Sequence, residues 1–145
     1  IAGLFMRPLG GWLVARRRIT TVALMRLSQV LNLAGLALLA WPGRPLPVAL
    51  LGGIAVGIGV SLPYAAVFNT AAASLARAPG AAQSLTASGG TFGAVVGAPL
   101  MGLAIERLGF SAAWLVIAVI PLAALVGTFF MLGEERFGTD VPSTT

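Results

Sequence analysis

The sequence has 145 residues, 58% of them hydrophobic and 9% charged, with a mean hydropathy of +0.97. Soluble domains carry roughly 25% charged residues, so this chain lacks the polar cover of a water-soluble globule, and a lipid-facing surface is the simplest account. Cysteine and histidine are absent, which excludes thiolate nucleophiles, histidine acid–base pairs and Cys/His metal sites, and the formal charge of +5 is carried by arginines set between apolar runs, a pattern of membrane topology rather than nucleic-acid binding.

A bilayer-spanning helix needs roughly 20 mostly apolar residues, and five segments approach that standard. The first, about 1–15, opens on Ile1 inside an apolar run and reads as a helix cut from a longer protein; Arg16, Arg17 and Arg18 end it. The second, about 20–40, stops at Trp41-Pro42-Gly43-Arg44-Pro45, where proline and glycine break a helix. The third, about 47–75, is long enough to tilt, with a kink expected at Pro63. The fourth, about 82–105, ends at Glu106-Arg107-Leu108-Gly109, and the last covers about 112–132. Residues 1–133 therefore read as a helical bundle and 134–145 as a polar tail. The runs are too long and too uniformly apolar for barrel strands, which alternate in units of ~10 residues. The expected fold is an all-α membrane protein.

Arginines counted in alternate loops give the orientation. One side receives Arg16, Arg17, Arg18, Arg77 and Arg136, the other Arg44 and Arg107, so the first side and the C-terminus are expected to be cytoplasmic. Pro8-Leu9-Gly10-Gly11-Trp12-Leu13-Val14-Ala15-Arg16 matches Pro99-Leu100-Met101-Gly102-Leu103-Ala104-Ile105-Glu106-Arg107 in the frame Pro-Leu-x-Gly-x-x-x-x-Arg. By the same count the two copies exit to opposite sides, as in the inverted repeats of secondary transporters.

Arg7 lies nine positions before Arg16, hence ~13 Å inside the arginine-rich face and near the middle of a ~30 Å hydrocarbon core. A cation there needs a wet cavity or a counter-charge, and no acid of the chain lies at matching depth. A bound oxyanion would serve, because a guanidinium pairs with two oxygens at once; snorkelling of Arg7 to the surface is the alternative. Tyr64 and Asn69, just after Pro63, and Thr91 are further candidates for a substrate path, with Ser88 also inside an apolar helix. Gly89, Gly93 and Gly97 recur every four residues and read as a helix-packing stripe, with Gly53 and Gly57 a similar pair. Arg26 is accounted for by snorkelling.

Gly10-Gly11-Trp12-Leu13-Val14-Ala15-Arg16, followed by Arg17 and Arg18 between two spanning segments, resembles the cytoplasmic loop motif of the major facilitator superfamily, in the copy between helices 8 and 9. The resemblance covers nearly the whole chain and implies the C-terminal portion, about helices 8–12, of a twelve-helix transporter, with Gly10, Gly11, Arg16, Arg17 and Arg18 in its inner gate. The family's usual Asp before the Arg is Ala15 here, whereas Glu106 fills the acidic place of the second copy. A narrower resemblance is to nitrate/nitrite porters, carried by Arg7-Pro8-Leu9-Gly10-Gly11, Ala66-Val67-Phe68 and Gly80-Ala81-Ala82; their Gly-Asn-x-Gly signature is Gly90-Thr91-Phe92-Gly93 here.

The expectation is a secondary active transporter of a small, anionic solute in a bacterial inner membrane. Its partners are that solute, the bilayer and an N-terminal half outside this sequence. It needs no cofactor, no metal and no nucleic acid, and it is not an enzyme. Drug or organic-solute efflux is the alternative within the class. A truncated, non-transporting membrane protein is the alternative of another class. A membrane-embedded enzyme would need acids, histidines or a nucleophile–base pair clustered at membrane depth, and the sequence offers none.

Overall fold

The computed structural model describes residues 2–16 and 19–130. Six helices follow in order: α1 Ala2–Ala15, α2 Thr21–Ala40, α3 Leu46–Ser61, α4 Tyr64–Ser74, α5 Pro79–Leu108 and α6 Phe110–Phe130. No strand occurs among the described residues. Counting α3 and α4 as one broken span, four helices are long and apolar enough to cross a membrane. The chain is thus a multi-pass helical membrane protein, since only a helix satisfies its own backbone in lipid without a closed barrel.

Local chemistry sets the boundaries. Thr20 caps α2 by accepting from the Ala23 N–H at 3.1 Å. The turn between α2 and α3 passes through Gly43 at φ +62°, and Pro47 opens α3 within its first two positions. Gly109, at φ +82°, separates α5 from α6 in a single residue, a conformation that only glycine reaches without strain. The expected kink at Pro63 is a two-residue interruption within one span: α3 ends at Ser61 and α4 restarts at Tyr64, with Leu62 and Pro63 still in right-handed helical backbone. Pro8, Pro99 and Pro121 lie inside uninterrupted helices. α5 runs three residues further than expected at each end, and the end of the last expected segment and the tail lie outside the described residues.

Lipid is as apolar as leucine, so helices associate through close packing and a few polar contacts. The tightest seam joins α2 and α3. A Cβ on Gly35 would stand 2.7 Å from the Gly52 oxygen and 2.9 Å from the Val56 nitrogen, and one on Gly52 would stand 2.9 Å from the Gly35 oxygen. Ser28 Oγ donates to the Gly59 carbonyl further along the same seam. Positions 35 with 52 and 28 with 59 share one sum, so the two helices run antiparallel. Gly53 and Gly57, the pair the sequence pointed to, meet nothing within 4 Å; Gly52 and Gly59 carry the contact instead. An i,i+4 glycine pair cannot reveal which face of an evenly apolar helix a neighbour will use.

α6 lies against α2, again antiparallel: Arg26 reaches Thr128 at one end and Arg44 covers the Phe110 ring at the other, 4.4 Å from its centroid. The small core gathers where α1, α2 and the α3–α4 break meet, on Leu24, Leu62 and Ala66 with Met6, Val14 and Ile19 packed around them. α5 leans on α4 and α6 yet contains no buried residue.

Candidate functional site

The packing of α1 on the helix break builds the site. A Cβ on Gly10 would collide with the Leu62 carbonyl oxygen, and one on Gly11 would come within 3.0 Å of Ala65 Cβ. The two glycines therefore lie within α1 and let it rest directly on the α3–α4 junction. That approach carries Arg7 over Tyr64, the first residue of α4, with the guanidinium carbon 4.2 Å from the ring centroid. Tyr64 stacks in turn on Phe68, at 4.6 Å between centroids and 23° between planes.

Arg7 precedes Arg16, the turn residue after α1, by nine positions, and Tyr64 precedes the end of α4 at Ser74 by ten. Counted along each helix, Arg7 stands about 13 Å before Arg16 and Tyr64 about 15 Å before the end of α4. Two candidates chosen separately from the sequence stand together. Arg7 makes no hydrogen bond or ion pair among the described residues, so its N–H donors are unspent, and the electron-rich ring face steadies the cation from one side. Such a site can receive an anion edge-on while an aromatic wall flanks it.

The other candidates are placed elsewhere. Asn69 is exposed on α4, with no hydrogen bond among the described residues. Thr91 is exposed on α5, donates to the Ala87 carbonyl at 3.1 Å, and shares a shallow depression with Ser88, Phe92 and Val95. Gly89, Gly93 and Gly97 meet no described atom within 4 Å, so within this chain their stripe is an uncovered face of α5. Arg16 follows α1 and lies 4.8 Å over the Trp12 ring; Arg17 and Arg18 are outside the described residues. The two copies of the Pro-Leu-x-Gly frame end at opposite ends of the bundle. Arg16 stands before α2, while Arg107 closes α5 beside the Phe110–Arg44 contact.

Arg26 differs from its expected role. Instead of merely reaching for the surface, its Nε donates to Thr128 Oγ1 at 3.2 Å and its Nη2 to the Thr128 carbonyl at 3.1 Å, with the guanidinium 4.4 Å from the Phe129 ring centroid. Thr128 lies near the end of the described part of α6, so Arg26 ties the first turns of α2 to it. A cation six residues into an apolar helix was the available signal; its partner, 102 residues away, was not readable. Ser28, Gln29 and Asn32 are further polar residues inside α2. Ser28 and Asn32 are buried in the α2–α3 seam, and Asn32 Oδ1 has no hydrogen-bond partner there. Among the described residues no group of three His, Cys, Asp or Glu could hold a metal ion.

Compared with known proteins, the chain matches no family model, no curated protein and no solved structure. What the helices define is the broad class, a multi-pass membrane protein in which an arginine of the first helix lies over an aromatic ring.

Proposed function

We propose that this chain is part of a major facilitator-type secondary transporter that moves a small anion by alternating access, with Arg7 as the anion-binding group. The observation that carries the proposal is the 4.2 Å approach of Arg7 to Tyr64, beside the interruption between α3 and α4. A cation costs free energy in hydrocarbon unless water or an anion meets it, and interrupted helices mark binding sites in transporters because backbone there can line a cavity. The opposed ends of the two Pro-Leu-x-Gly segments add the pseudo-symmetry that alternating access uses. Nitrate or nitrite suits the planar donor fork of Arg7. The remaining helices, with the N-terminal half, belong to sequence outside this chain, and the arginine-rich end is cytoplasmic.

The Tyr64–Phe68 stack favours a second reading, in which the solute is a flat organic anion lying against the rings. Liposomes carrying the transporter that contains this chain separate the two. Uptake of nitrate or nitrite is expected, and Arg7→Gln is expected to weaken apparent affinity about tenfold or more, as for a buried charge losing its partner. Faster uptake of aromatic carboxylates than of nitrate selects the second reading. Failure to move any inorganic anion or small organic acid, or transport unchanged in Arg7→Gln, overturns both.

A further inference from the structure

A cavity of about 360 Å³ opens between α2, the α3–α4 break and α6, lined by Met25, Gln29, Pro63, Val67, Ala124 and Gly127 with Thr128. Its size falls within the ~300–1,000 Å³ of ligand pockets, and its walls are apolar apart from the Gln29 amide and Thr128. Thr128 is also the residue that Arg26 grips, so the guanidinium stands at the rim. Arg26 is the sixth residue of α2, about 8 Å along it from its first residue, a distance that a long arginine side chain can cover toward the headgroups. Two of its N–H groups are engaged by neutral oxygens of Thr128 and its face by Phe129; no carboxylate among the described residues balances its charge. A cation with no carboxylate beside it among the described residues, at the edge of an apolar cavity between membrane helices, suits an acyl chain joined to an anionic headgroup.

We infer that the α2–α6 seam binds one anionic phospholipid, with its phosphate on the Arg26 guanidinium and an acyl chain in the cavity beside Gly127. This site is separate from Arg7, which pairs with Tyr64 on α4. The lipid would fill the cavity and complete the donors that Thr128 leaves unused. By bridging α2 and α6 it would hold the seam closed at the arginine-rich end.

The test uses the whole chain purified in neutral detergent, with phosphatidylglycerol, phosphatidylcholine or inorganic phosphate added. Retained lipid is counted by native mass spectrometry, and stability is followed by thermal unfolding. One phosphatidylglycerol retained in preference to phosphatidylcholine, with a melting temperature that phosphatidylglycerol raises and phosphate alone does not, is the expected result. Arg26→Gln should weaken phosphatidylglycerol retention about fivefold, the ~1 kcal/mol that one cation contributes near an anionic surface. Gly127→Leu keeps the cation and adds bulk at the cavity wall, starting from a Cβ position that meets no described atom within 4 Å; its unfolding temperature without lipid, close to that of the parent, shows that it folds. This variant should lower retention of both lipids. Equal retention of the two lipids by the unmutated chain, or stabilisation by phosphate as large as by phosphatidylglycerol, overturns the inference. So does an undiminished preference in Arg26→Gln, the outcome expected if Glu134 or Glu135 rather than a lipid neutralises Arg26.

Discussion

Replacing Gly35 by alanine places one methyl group in the α2–α3 seam, where a Cβ would lie 2.7 Å from the Gly52 oxygen, 2.7 Å from Val56 Cγ2 and 2.9 Å from the Val56 nitrogen. Carbon atoms rest at about 3.5–4.0 Å from non-bonded neighbours. Two of the three obstacles are backbone atoms and cannot rotate away, so the helices must part by the better part of an ångström. A gap of that size forfeits a quarter to a half of each dispersion contact along the seam, and small-to-large changes in well-packed cores cost about 1–3 kcal/mol. The Ser28–Gly59 bond lies on the same seam and stretches with it, so a loss of about 2–3 kcal/mol is expected. Gly53→Ala is the internal control. It lies one position from Gly52 on the same helix, but its Cβ meets nothing within 4 Å, and better helix propensity should leave it neutral or stabilising by up to about 1 kcal/mol. Both variants are read by reversible unfolding in mixed micelles with sodium dodecyl sulfate, followed by far-ultraviolet circular dichroism. Should Gly35→Ala fall within about 0.5 kcal/mol of Gly53→Ala, the glycine contact does not hold the seam and the reasoning fails.

Ser28→Ala removes the donor to the Gly59 carbonyl and should cost about 0.6 kcal/mol, the average for polar contacts between membrane helices, in the same unfolding assay. Asn32→Leu removes a buried oxygen without a partner and should stabilise the chain by about 1 kcal/mol, since such a group carries a desolvation penalty of about 1–3 kcal/mol; a clear loss of stability would mean that the amide has a partner. Tyr64→Leu takes away the ring beneath Arg7. It should weaken anion affinity about five- to tenfold, with Tyr64→Phe close to the parent, because the ring face and not the hydroxyl holds the cation; equilibrium binding to the protein in micelles measures both.

The sequence alone located the apolar runs and their approximate limits, because uninterrupted apolar length and the Pro/Gly/Arg punctuation between runs are local properties; it read five segments, of which four are described as helices long and apolar enough to cross a membrane. It also located the interruption at Pro63 and singled out Arg7 and Tyr64, but not their contact, which joins two helices 57 positions apart in sequence. The direction in which each residue faces was not legible. α3 is apolar on every side, so nothing local distinguishes Gly52 and Gly59, which touch α2, from Gly53 and Gly57, where a Cβ would meet no described atom within 4 Å. Arg26 shows the same limit, since its partner Thr128 comes from the far end of the chain. In lipid the apolar surface of a helix has no preferred inward side, and only the fit of neighbouring backbones, with the few polar groups that find one another, selects which faces meet.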